Sequence, residues 1–171
     1  EHAVTDAIVH LRWATGDLAV CEPNTHPFIH DGIAFCHNGA LTCGPALDAL
    51  IDPSLRTELE GDTDSEQYFA ALLTALRATG SMPDAYRRLL ADLGDTQFSS
   101  LNALVLTADD LWVLSRNNPD RRPQGTDPDY YDLRWDVRDG VFTAWSSQVR
   151  PAVGSLLADG DLVQVHRATG I

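Results

Sequence analysis

Between Cys21 and Cys43 the chain is dense in side chains that bind metals or attack carbonyls: Cys21, His26, His30, Asp31, Cys36, His37 and Cys43. Zinc sites built from neighbouring residues show paired short spacings such as Cys-x-x-Cys or His-x-x-x-His. No Cys-x-x-Cys pair occurs. Pro27 lies between His26 and His30, which argues against the helix that would bring those two rings onto one face. The stretch is therefore read as carrying no metal site, and no cofactor is expected. All 12 basic residues are arginine, so a lysine Schiff base and a P-loop are both excluded.

Four short clusters hold the remaining candidates: His10-Leu11-Arg12-Trp13-Ala14-Thr15, Asn24-Thr25-His26-Pro27-Phe28, Phe35-Cys36-His37-Asn38-Gly39, and Gly61-Asp62-Thr63-Asp64-Ser65-Glu66. Each has a plain local explanation. Arg12 suits a surface and Trp13 a core, while Asn38-Gly39 is a strong turn dipeptide. Asp64 falls in a first helical turn, where the helix dipole favours a carboxylate whatever its function.

The elements that must position these clusters follow from patterning. Ala7 to Trp13 is rich in β-formers and reads as a strand running into a loop; Cys21 to Phe28, with two prolines, reads as a surface loop. Ile33 to His37 is a short apolar strand that stops at Asn38-Gly39, and Pro45 to Ile51 is a short helix. Thr63 and Glu66 have the spacing of a capping box, Phe69, Leu72, Leu73 and Leu76 follow at helical spacing, and Gly80 supplies a stop. A second helix starts around Pro83, buries Tyr86, Leu89, Leu90 and Leu93, and stops at Gly94. Beyond it, 101–107, 111–116, 131–138, 141–145 and 162–166 read as strands, with breaks at Asp109-Asp110 and Asp139-Gly140. Strands, then helices, then an antiparallel meander describe a layered α+β domain.

At 171 residues and 44% hydrophobic, the chain suffices for one domain spanning 1–171. Twenty-five acidic residues give a formal charge of −13, a field that repels phosphate backbones and anionic lipid surfaces. Neither nucleic acid nor a membrane is an expected partner. Three cysteines are an odd count and are read as reduced thiols of a cytoplasmic protein.

The order and spacing of the four clusters resemble the signature series of class II glutamine amidotransferases, with the greatest likeness to the stand-alone, YafJ-like type. Ser100-Leu101-Asn102-Ala103-Leu104-Val105-Leu106-Thr107, Tyr130-Tyr131-Asp132-Leu133-Arg134 and Trp145-Ser146-Ser147 fit the same family, so the likeness covers nearly the whole chain. The resemblance implies a four-layer αββα sandwich of the N-terminal nucleophile hydrolase type and hydrolysis of the L-glutamine side-chain amide. It implies that Arg12 pairs with the substrate carboxylate through its planar fork. It gives Asp64 the substrate ammonium, and it makes Trp13, Thr15 and His26 the pocket lining. Asn38 and Gly39 are implied as the oxyanion hole, through the asparagine side-chain amide and the glycine N–H.

The family's nucleophile is an N-terminal cysteine whose own α-amine acts as base. Residue 1 is glutamate, and Cys21, Cys36 and Cys43 have no free α-amine. The expectation is an N-terminally incomplete sandwich, lacking its first strands and inactive by itself. Its partners would be an ammonia-accepting enzyme or the missing N-terminal segment. The alternative is a non-catalytic relative that binds glutamine or a partner protein through the retained residues.

Overall fold

The computed structural model describes residues 6–11, 19–146 and 153–167. The chain divides into two compact units, one of residues 1–9, 29–39 and 98–171, the other of residues 10–28 and 40–97.

The first unit is built of antiparallel strands. Its larger sheet runs β1 (Phe28–His30), β2 (Ile33–Asn38), β3 (Asn102–Leu106), β4 (Asp110–Leu114), β8 (Leu162–His166). Its smaller sheet runs β6 (Val141–Ser146), β5 (Leu133–Arg138), β7 (Ser155–Leu156). The β2–β3 register puts Phe35 opposite Val105, both fully buried. A slip of one residue would turn that apolar set outward, so the pairing is strongly specified. The sheets meet face to face around Val113, Leu133 and Leu157. Leu104, Leu111 and Val163 pack there from the larger sheet, and Trp135, Phe142 and Ala144 from the smaller. Each large apolar side chain buried there contributes about 1.5–3 kcal/mol.

Two tight turns carry positive φ at both central positions, the requirement of a type I′ hairpin. Asp139 (φ 51°) and Gly140 (φ 78°) join β5 to β6, as expected from that dipeptide. Asp31 (φ 49°) and Gly32 (φ 75°) join β1 to β2, a hairpin in a stretch, residues 29–32, to which the sequence pattern assigns no element. β1 and β7 were both missed, being only three and two residues long.

The second unit is helical: α1 (Pro45–Asp48), α2 (Pro53–Arg56), α3 (Asp64–Thr79) and α4 (Met82–Leu93). α3 starts where Thr63 Oγ accepts the Glu66 N–H at 3.2 Å and stops at Gly80. Gly80 is left-handed (φ 75°), and its N–H closes on the Leu76 carbonyl at 2.8 Å. α3 buries Tyr68, Phe69, Leu72 and Leu73, and packs against α4, which buries Met82, Tyr86, Leu89 and Leu93. Leu76 and Leu90, expected in the core, are only half-buried.

Three expectations need correction. Residues 7–11 form no strand; Val9 and Leu11 are exposed, because β-propensity does not make a strand without a neighbour to pair with. Glu66 does not complete a capping box on Thr63 but accepts the Glu60 and Gly61 N–H groups at 2.8 and 2.9 Å. Asn38-Gly39 is no hairpin turn: Asn38 ends β2 in register with Asn102, and Gly39 is a bend after it.

Candidate functional site

In the first unit the candidate chemistry lies at the end of β2. Successive residues alternate across a strand, so Cys36 and Asn38 project to one face and His37 to the other. His37 is buried, and its Nε2–H donates to the Ser100 carbonyl at 2.9 Å. Gly39 (φ 154°) runs so close to that residue that a Cβ would fall 2.1 Å from Ser100 O and 2.6 Å from Ser100 C. Only glycine fits. The Asn38 side chain is half-buried and makes no hydrogen bond among the described residues; nor does the Gly39 N–H. A strand end thus carries two donors with capacity to spare on consecutive residues.

Cys36, buried beside them, is not poised to attack. Burial pushes its thiol up from 9.0 to about 12, so almost no thiolate exists near neutral pH.

In the second unit the candidate chemistry lies at the start of α3. Asp64 Oδ2 accepts the Leu41 N–H at 2.8 Å, and Oδ1 accepts the Ser65 N–H at 2.9 Å. A carboxylate has about four acceptor sites, so two backbone bonds fix its direction and leave room for a cation. The preceding loop is tied down by Asn24, which is buried. Its Nδ2 donates to Asp62 Oδ1 at 2.8 Å and its Oδ1 accepts the Asp62 N–H at 3.1 Å. The ring of His26, also buried, lies 4.1 Å from that of His10, tilted by 31°, and meets Phe28 edge-on at 4.7 Å. Cys43 is exposed; burial of its sulfur, then the charges of Asp64 and Asp48, raise its thiol above its ordinary value.

Among the expected site residues, Asn38 and Gly39 are consecutive at one strand end, and His26 and Asp64 both belong to the helical unit. Arg12, Trp13 and Thr15 lie outside the described residues. Sequence reasoning gave no role to Ser100, whose carbonyl meets both His37 and Gly39, or to the Leu41 N–H that orients Asp64. Ser99-Ser100-Leu101-Asn102, a polar entry to an apolar strand, was the available signal. Among the described residues no group of three or more His, Cys, Asp or Glu side chains is arranged to hold a metal ion. No described helix is long and apolar enough to cross a membrane.

Comparison with solved structures defines the class of fold. A glutamine aminotransferase class-II domain protein from Silicibacter pomeroyi superposes with a TM-score of 0.60 at 20% identity, over 84% of this chain and 66% of that one. Glutamine phosphoribosylpyrophosphate amidotransferase from B. subtilis superposes with a TM-score of 0.56 at 16% identity, over 92% of this chain and 32% of that one. A predicted glutamine amidotransferase from Pseudomonas aeruginosa matches at 24% identity and a TM-score of 0.44, over 86% of this chain and 51% of that one. The first two give the fold as an α+β sandwich with antiparallel sheets. The chain spans about two thirds of the first relative's length and less of the other two. A family profile described as glutamine amidotransferases class-II matches residues 2–120. The chain belongs to that family.

Proposed function

We propose that residues 1–171 form one amidotransferase domain that binds L-glutamine and stabilises the transition state for hydrolysis of its side-chain amide. Membership of the family supports this reading. The observation that carries it is local: Asn38 and Gly39 offer two donors that make no hydrogen bond among the described residues, at a strand end where no side chain fits on residue 39.

In this reading the thiolate of an N-terminal cysteine outside residues 1–171 adds to the amide carbon, and the carbonyl electron pair moves onto oxygen. The Asn38 side-chain N–H and the Gly39 N–H donate to that oxygen. Removing one such donor costs about 3 kcal/mol of transition-state stabilisation. Collapse expels ammonia with a proton from the cysteine α-ammonium, and water hydrolyses the thioester to glutamate. Asp64 pairs with the substrate ammonium, Arg12 with its carboxylate, and Trp13, Thr15 and His26 line the pocket. The ammonia passes to a partner enzyme or to water. Three free cysteines suit the reducing conditions of a cytoplasmic, stand-alone YafJ-like protein.

The test is ammonia release from glutamine by protein expressed from its full open reading frame, with and without a glutamine-analogue alkylator. Turnover abolished by a label on an N-terminal cysteine is the expected result. Glutamine binding with neither ammonia nor label would establish a non-catalytic binding protein instead.

A further inference from the structure

Asn102 opens β3 as a polar residue in an otherwise apolar strand, and it is 1% exposed. Its side-chain oxygen accepts the Arg116 N–H at 2.8 Å, and its side-chain nitrogen donates to the Tyr131 carbonyl at 2.5 Å. A backbone N–H can be met only by the amide oxygen and a carbonyl only by the amide nitrogen, so this side chain has one orientation. Its own backbone N–H donates to Ser100 Oγ at 3.0 Å. The residue thereby ties three stretches of chain to the entry of β3, including the Ser100 segment against which Gly39 lies.

Asn102 stands directly opposite Asn38 in the β2–β3 register. Side chains so paired leave the sheet on the same face, with Cβ atoms about 4.5–5.5 Å apart. A second amide at that range is the natural partner for the Asn38 side chain. Asn102 turns its own amide to Arg116 and Tyr131 instead, and Asn38 makes no hydrogen bond among the described residues.

We propose that Asn102 is a positioning residue for amide hydrolysis, holding the Asn38 and Gly39 donors in place by committing its own amide elsewhere. The proposal rests on the amidase reading above. Asn102→Asp is the sharpest variant. The carboxylate keeps the shape but cannot donate to Tyr131, and it offers the Asn38 amide an acceptor that draws it away from the substrate.

The experiment compares full-length wild-type and N102D protein in glutamine turnover, thermal stability and binding of two ligands. One is glutamate; the other is the glutamine analogue with an aldehyde in place of the side-chain amide. The nucleophile's thiolate adds to the aldehyde carbon and its electron pair moves to oxygen, so this ligand forms the oxyanion with no leaving group. The expected result is a fall in kcat of about 100-fold, the scale of losing one oxyanion donor. KM should stay within about twofold. Aldehyde affinity should fall in step with kcat while glutamate affinity holds. An unchanged kcat in N102D with an active wild type overturns this proposal alone, as does a joint loss of kcat, KM, glutamate binding and Tm. A wild type that releases no ammonia overturns the amidase reading and this proposal with it. Should N102D not fold, N102S, which also removes the donor to Tyr131, is read by the same split between kcat and KM.

Discussion

The carbonyl oxygen of Ser100 lies 2.1 Å from where a Cβ on residue 39 would stand. Ser100 cannot retreat easily: it is fully buried, and its carbonyl is held by His37. Gly39→Ala is expected to cost about 1–3 kcal/mol of stability through overpacking. For a chain of this size that is roughly 2–4 °C in Tm for each kcal/mol. Thermal unfolding of the two proteins measures it, and an unchanged Tm would mean that the Ser100 backbone yields.

Asp64 is the next test, because binding and stability should separate there. The helix dipole makes a first-turn carboxylate worth only about 0.3–1 kcal/mol. Pairing with a substrate ammonium is a hydrogen bond to a charged group, worth about 1.5–3 kcal/mol. In Asp64→Asn the side-chain NH₂ must also face either the Leu41 or the Ser65 N–H, so the direction of the group is lost. KM for glutamine should rise about 10-fold or more, while the half-buried position lets water meet the N–H that loses its acceptor, so Tm should fall by only a few degrees. A KM equal to that of wild type would remove Asp64 from the substrate site.

Glu66 should behave in the opposite sense, as a residue of the scaffold. Its two oxygens meet the Glu60 and Gly61 N–H groups, and the side chain is buried. Glu66→Ala leaves both donors without that partner; Glu60 is exposed and Gly61 half-buried, so water meets them in part and the total cost should be about 1–3 kcal/mol. Glu66→Gln keeps one acceptor and should lie between alanine and wild type. Urea midpoints would rank the three proteins, and equal midpoints for alanine and wild type would show that water replaces the carboxylate.

Physical range separates what could be read from the sequence and what could not. α3 and α4 were legible because their signals are local: Thr63 caps three residues onward, and Gly80 stops the helix at its own position. Asp139-Gly140 was legible because long strands flank it on both sides. Asp31-Gly32 makes the same kind of turn, but the three-residue strand before it is too short to show a period of two. Asn38-Gly39 has turn composition and yet ends a strand, since β2 pairs with β3, far along the chain, and no reversal is needed. The candidate site divides in the same way. Asn38, Gly39 and Asp64 stand out in short motifs. Ser100 and Asn102 lie in a segment that fits the family, but their roles are not legible there, because what they do depends on Arg116 and Tyr131, remote in sequence.

The cysteines supply a prediction that depends on pH. Only thiolate reacts with iodoacetamide, and a raised pKa means a smaller thiolate fraction at a given pH. Cys36, pushed to about 12, should stay unlabelled in the folded protein at pH 8 and become reactive on unfolding. Cys43 is accessible but raised, so it should label more slowly than a small free thiol at that pH and gain on it as pH increases. Peptide mass spectrometry over time reads both. Rapid labelling of Cys36 in the native state would contradict its burial and reopen it as a nucleophile.

Arg12 lies outside the described residues, so its role in the proposal rests on the family motif and on chemistry. That chemistry is demanding. A guanidinium presents parallel N–H groups that match both oxygens of a carboxylate, whereas a lysine ammonium is a flexible point charge. Arg12→Lys preserves the charge and removes the fork, so it separates general attraction for an anion from bidentate recognition. If Arg12 clamps the substrate carboxylate, the variant should raise KM for glutamine about 10-fold or more. The kcat should change much less, because that carboxylate is remote from the reacting carbonyl and is bound alike in ground and transition states. Glutamine esterified at its α-carboxylate sharpens the comparison. It should bind wild type poorly and be nearly indifferent to Arg12→Lys, since the group that Arg12 recognises is already gone. Equal KM values for glutamine in the two proteins would mean that another residue holds the carboxylate.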